Sequence, residues 1–193
     1  AFDEACAILA GDALQSLAFE VLGSDAGNPA DAALRLRMLA TLSRAAGPAG
    51  MVGGQAIDLA AVGIKIDQQA LERMHRHKTG ALIEASVQLG ALASGNADEP
   101  ALRSLQHYAQ AIGLAFQVQD DILDVESDTA TLGKTAGKDS DNDKPTYVKL
   151  MGLQAARAYA ETLTAEAAAL LEPFGAKALH LRLLTEFVTA RKN

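Results

Sequence analysis

Aromatic residues are scarce in this chain, 4% of 193 with no tryptophan. Strands draw on aromatic and β-branched side chains, so the scarcity excludes a sheet-based core, and the alanine and leucine behind a hydrophobic content of 49% favour helices. There is a single cysteine, Cys6. That excludes an internal disulfide and fits a reducing cytoplasm, with Cys6 expected to pack as a small residue on the first helix. Positive charge is short, 17 Lys and Arg against 24 Asp and Glu, so the basic face of a nucleic-acid binder is excluded. No uninterrupted run of about 18 apolar residues occurs, and no membrane span or signal peptide is expected. Charged residues at 21% are too few for a disordered polyelectrolyte. The length suits one helical domain, 1–193, with a real core.

What is present is helical periodicity. Phe2, Cys6, Leu9, Ala13, Leu17 and Val21 recur at helical spacing. Asp31 is placed to cap "AALRLRMLATLSRAAG", and Asp67 to cap "QQALERMHRHKT", which continues through "ALIEASVQLGALASG" to Gly95. Between them "AGMVGGQAIDLAAVG" predicts a short buried helix whose glycines admit close neighbours. The longest periodic segment is "NADEPALRSLQHYAQAIGLAFQVQDDILDVE", with Pro100 in its first turn, where proline is tolerated. The polar stretch "SDTATLGKTAGKDSDNDKPTY" predicts a loop of about 20 residues, longer than a compact domain keeps without a purpose. "VKLMGLQAARAYAETLTAEAAALLEPF" and "KALHLRLLTEFVTARK" read as two closing helices. The expected fold is an all-α helical bundle.

One patch on the long helix is chemically odd. In "FQVQDDILD", Asp120, Asp121 and Asp124 lie close around Gln117, because helical residues advance by about 100° each. Val118, Ile122 and Val125 flank that strip on one side, Phe116 and Leu123 on the other. A solvated face would be wider and would mix lysines with the acids. Clustered carboxylates without sulfur or histidine suit a hard cation, and Mg²⁺ takes one or two carboxylates and completes its octahedron with water and phosphate oxygens. A charged helix end facing water fits the bare D-D-x-x-D equally well. Lys134, Lys138 and Lys144, in a loop with Gly133 and Gly137, favour the metal, since a diphosphate needs lysines for the oxygens a cation leaves free. Two rival motifs fail. In "DSDNDK" an EF-hand would need Gly at Lys144 and Glu at Leu150, and "GKTAGKD" has too short a span and Asp139 where a Walker loop binds Mg²⁺ through Ser or Thr.

"GQAIDL", "HRHKTGALIEASVQLGA", "GLAFQVQDDILDV", "DTATLGKTAGKD" and "DKPTY" stand in one order along the chain. In that order they resemble the trans-prenyl diphosphate synthases, above all the bacterial members that form farnesyl diphosphate. The resemblance runs over essentially all 193 residues. It implies an isoprenoid-synthase-type helical bundle that joins isopentenyl diphosphate to an allylic diphosphate, with Mg²⁺ as cofactor, in the cytoplasm and as a homodimer. Asp120, Asp121 and Asp124 match the family's second aspartate-rich motif, which holds Mg²⁺ against the allylic diphosphate. Lys78 and Thr79 match residues that touch that diphosphate and the reacting carbons, and with Asp120 they form the expected catalytic set. Lys134 and Lys144 match diphosphate-binding lysines. Phe116 and Gln117 match residues between the two substrates, and Gln55 and Asp58 a polar pair beside them. His75 and His77 read as surface or packing residues, and Lys138 as loop charge.

The family's first aspartate-rich motif, with its following arginine pair, lies upstream of a stretch like "AFDEACAILAGDALQ", and nothing in this chain matches it. The expectation is therefore that these residues are the C-terminal part of a longer chain. Other functions compatible with the motifs are a longer-chain (geranylgeranyl) synthase, a terpene cyclase, or a non-catalytic helical partner subunit.

Overall fold

The computed structural model describes residues 3–24, 31–131 and 144–190, of which 127–131 as backbone only. Among the described residues every regular element is helical, as expected. They are α1 (Glu4–Gly23), α2 (Ala32–Ala46), α3 (Met51–Ala60), α4 (Gln68–His75), α5 (Ala81–Ala93), α6 (Glu99–Thr131), α7 (Tyr147–Met151), α8 (Leu153–Leu170) and α9 (Leu179–Ala190). A π turn, Arg76–Gly80, joins α4 to α5, and a 3₁₀ segment, Glu172–Ala178, joins α8 to α9. Several helix starts follow from single side chains. Asp3, Asp31, Asp67 and Asp98 accept from the amides of Cys6, Ala33, Ala70 and Ala101 at 2.7–2.8 Å. Each such cap is worth about 1 kcal/mol.

The bundle is organised around α6. Tyr108, Ala111, Ala115, Val118 and Ile122 are buried on α6, and Ala156, Ala160, Leu163 and Ala167 are buried on α8. The alanines recur at helical spacing and let the two axes approach closely. The Tyr108 hydroxyl donates to the Leu181 carbonyl at 3.1 Å and ties α9 to the same spine. Elsewhere α6 crosses the π turn where both chains carry glycine. A Cβ placed on Gly113 would lie 3.4 Å from Gly80 Cα. A smaller cluster of Met38, Leu92 and Leu102 joins α2, α5 and the start of α6.

Four expectations need correction. Only Gly54 and Asp58 of α3 are buried, while Val52, Ile57 and Leu59 are exposed. The apolar composition of that segment does not translate into burial, because α3 meets its neighbours along its glycines. No residue of α1 is buried, and Cys6 is exposed rather than packed. By length and composition α1 is also apolar enough to cross a membrane, with a mean hydropathy of 1.5, although Asp12 interrupts its run. The third correction concerns the long loop. Helix α6 continues to Thr131, past the expected end at Glu126, because residues 127–131 contain no proline or glycine to stop it. Last, the first closing helix is two helices, broken at Gly152, whose φ of 84° favours glycine.

Candidate active site

The π turn that follows α4 packs against both α3 and α6, the helix that carries the acidic strip. The first junction depends on a missing side chain. A Cβ on Gly54 would sit 2.1 Å from the Lys78 backbone nitrogen, so only glycine lets α3 lie this close to the π turn. That approach brings Lys78 Nζ to 2.6 Å from Asp58 Oδ2. Asp58 is 5% exposed, so its carboxylate gains most of its compensation from this lysine. Lys78 is only half-buried and keeps two further N–H donors for a ligand. The π turn itself is the kind of helix irregularity that clusters at functional sites, and it carries both Lys78 and Thr79.

On α6 the carboxylates are graded in burial. Asp120 and Asp121 are half-buried and Asp124 is exposed. Gln117 Nε2 donates to Asp120 Oδ2 at 3.0 Å, and the Tyr147 backbone N–H donates to Asp121 Oδ2 at 2.7 Å. Burial pushes the Asp121 carboxyl up to about 6, and the charges of Asp124 and Asp120 add to the rise against the Tyr147 hydrogen bond and the cation of Lys149. A carboxylate this uncomfortable gains from any cation brought beside it.

The expected residues fall as follows. Phe116, Gln117, Lys78, Thr79 and Gln55 are half-buried, and Asp58 is buried. The structure joins Lys78 to Asp58 and Gln117 to Asp120. Lys144 is exposed just before α7, its carbonyl accepting from Lys149 Nζ at 2.8 Å. Lys134 and Lys138 lie outside the described residues. Two residues were missed. His75 is buried as a packing residue should be, but its Nδ1 also pairs with Gln117 Oε1 at 2.8 Å. Lys149 acts electrostatically on Asp121. Neither carried a sequence signal, since His75 sits among other polar residues and Lys149 lies beyond the lysine loop.

The donor set fits Mg²⁺ in one manner and not another. Among the described residues no group of three His, Cys, Asp or Glu side chains forms a ready-made metal cage. Asp120 and Asp121, each accepting from one protein donor, suit a cation that takes one or two carboxylates and completes its shell from a diphosphate. A cavity of about 500 Å³ lies elsewhere, lined by Arg37, Arg44, Arg76 and Glu84 among others and by none of the expected site residues.

Known proteins are similar to this chain in sequence and in fold. The chain is 52% identical to the farnesyl diphosphate synthase of Escherichia coli over 98% of its own length and 64% of that protein's. It is 47% identical to the Haemophilus influenzae enzyme of the same name, again spanning 64% of it. An FPP/GFPP synthase structure from Zymomonas mobilis superimposes with a TM-score of 0.83 at 39% identity, covering 97% of this chain and 62% of that one. A geranyltransferase from Helicobacter pylori, complexed with magnesium and isoprenyl diphosphate, gives 0.78 at 36% identity, with coverage of 96% and 62%. Such coverage leaves few residues unmatched, so most of α1 lies within the shared bundle. The chain thus spans somewhat under two thirds of the relatives it matches. Residues 1–172 match the polyprenyl synthetase family, to which this all-α chain belongs.

Proposed function

We propose that this chain is the larger, C-terminal part of a prenyltransferase that condenses isopentenyl diphosphate with dimethylallyl or geranyl diphosphate to give farnesyl diphosphate. The observation that carries this reading is the chain of contacts from the acidic strip to the π turn: Gln117 donates to Asp120 and pairs with His75, and the turn that follows His75 carries Lys78 and Thr79. Asp120, Asp121 and Asp124 would hold Mg²⁺. When bound, it serves as a Lewis acid and template for the departing diphosphate. Lys78, pinned by Asp58, presents its remaining N–H donors to the diphosphate oxygens, with Thr79 beside it. Lys134 and Lys144 would neutralise the rest of that charge.

The allylic C–O bond breaks with its electron pair going to the diphosphate oxygen, leaving a delocalised cation. The double bond of isopentenyl diphosphate attacks that cation, and a proton is lost, with the departed diphosphate its natural acceptor. Phe116 and Gln117 border the path of the new bond. The apolar residues flanking the strip exclude water that would otherwise capture the cation.

A cytoplasmic homodimer is part of the same reading. It is supported by the single cysteine and by the uncovered apolar residues of α1, among them Leu9, Leu14 and Leu17. Geranylgeranyl synthases are also among the relatives, at 43–44% identity, below the 52% of a farnesyl synthase. The deciding experiment supplies the full-length protein with isopentenyl diphosphate, geranyl diphosphate and Mg²⁺ and measures the product. Farnesyl diphosphate as the end product is expected. Geranylgeranyl diphosphate would support the longer-chain alternative, and no product the non-catalytic one.

A further inference from the structure

His75 is 8% exposed, lies at the last position of α4, and has no part in the chemistry above. A buried imidazole is costly unless its nitrogens are used. One is used in a way that fixes its neighbours. A carboxylate only accepts hydrogen bonds, so Gln117 must turn its Nε2 toward Asp120 Oδ2, at 3.0 Å. Its Oε1 then faces His75 Nδ1, at 2.8 Å, and Nδ1 must carry the proton. Burial lowers the His75 pKa, against the Gln117 hydrogen bond, which keeps the ring neutral with Nε2 as a bare acceptor. Nε2 has no partner, and a proton there would be a buried, unsatisfied donor.

The same ring also reaches the second carboxylate by a different route. It stacks on Tyr147, with ring centroids 5.6 Å apart and planes inclined by 27°. Tyr147 is fully buried and opens α7, and its backbone N–H donates to Asp121 Oδ2. Tyr159 also packs against Tyr147, with ring centroids 5.9 Å apart, and its hydroxyl donates to Glu72 at 2.8 Å.

We propose that His75 is a positioning residue for the acidic strip, setting Asp120 through Gln117 and Asp121 through Tyr147. Each carboxylate is thereby fixed at its Oδ2. The proposal rests on the magnesium–diphosphate reading of this site. Groups that orient metal ligands in this way typically matter 10–100-fold in metal affinity.

The test uses the full-length protein, with Mn²⁺ as the probe in the presence of inorganic pyrophosphate, and reads bound Mn²⁺ by electron paramagnetic resonance. His75→Phe keeps the stack and loses the donor, and should weaken Mn²⁺ binding on the order of 10-fold. His75→Asn, whose Nδ2 falls where Nδ1 was, keeps the donor and loses the stack, so it should bind Mn²⁺ more tightly than His75→Gln, which loses both. Unchanged affinity in His75→Phe would overturn the proposal, as would equal loss in the Asn and Gln variants, which would reduce His75 to filler. Circular dichroism confirms that each variant is folded. In the unmutated protein, nitrogen NMR should show His75 protonated at Nδ1 and bare at Nε2, and the opposite tautomer would overturn the role without any variant. If the unmutated protein binds no Mn²⁺ with pyrophosphate, the synthase reading itself fails, and this role with it.

Discussion

The middle of α6 and the whole of α1 are both helical stretches rich in apolar residues with acids set among them, yet they end in opposite environments. Val118 and Ile122 are buried, and Asp120 and Asp121 beside them are each held by a named donor. On α1, Ile8, Leu9, Leu14, Leu17 and Val21 are all exposed, and no residue is buried. Composition sets the tendency to be helical. Burial depends on whether another element arrives with a complementary surface. Around α6 that surface is supplied by the alanines of α8 and by the π turn, where Gly80 meets Gly113.

The comparison is broken most severely at the strip itself. If Asp120 supplies charge stabilisation comparable to a single oxyanion-hole donor, Asp120→Ala in the full-length enzyme should lower the rate on the order of 10²–10³-fold at saturating Mg²⁺. An unchanged rate would mean that the strip is merely a solvated helix face.

The next effect concerns the approach of α3. Gly54→Ala places a Cβ against the Lys78 backbone, and overpacking of this kind costs about 1–3 kcal/mol. It should also separate Lys78 from Asp58, so both the melting temperature and the affinity for diphosphate should fall. Gly90→Ala is the matched control, because nothing lies within 4 Å of a Cβ there. It should be neutral or stabilising by about 0.5–1 kcal/mol, as for glycine replaced within a helix.

The α1 side of the comparison is sharpened by Leu9→Gln and Leu17→Gln. Exposed positions move stability by about ±0.5 kcal/mol, so unfolding of this chain should barely change. The full-length protein, examined by analytical ultracentrifugation, should shift from dimer toward monomer. Unaltered association would place the partner of α1 elsewhere.

The smallest effect is on pH. The Asp121 pKa is raised from 3.8 to about 6, so the folded state prefers its protonated form. Without metal, that contribution to stability is fully present below the unfolded value and is lost as pH rises through about 6. Mg²⁺ with pyrophosphate requires the ionised form, so the stabilisation it gives should be greater at about pH 8 than at about pH 5. Melting curves with and without the two ligands measure both slopes.

Much of this arrangement was legible in the sequence. The period of the apolar residues, the capping by Asp31 and Asp67 and the one-sided cluster of Asp120, Asp121 and Asp124 are local properties, and local properties can be read along a chain. Partnerships across the fold cannot. Lys78 and Asp58 are twenty residues apart and His75 and Gln117 forty-two, and no spacing rule joins them. The exposure of α1 and α3 was equally hidden, because an apolar stripe specifies that something should cover it but not whether the covering element is present. The break at Gly152 was missed because glycine within a helical pattern is often tolerated, and only its positive φ shows that the helix stops.

The account depends on a cation being drawn to the α6 carboxylates by a diphosphate. Crystals of the full-length protein grown with Mn²⁺ and an allylic diphosphate analogue test this directly by anomalous scattering. The expected result is Mn²⁺ bound to Asp120 or Asp121 and bridged to the diphosphate. Diphosphate bound with no manganese against either carboxylate would contradict it.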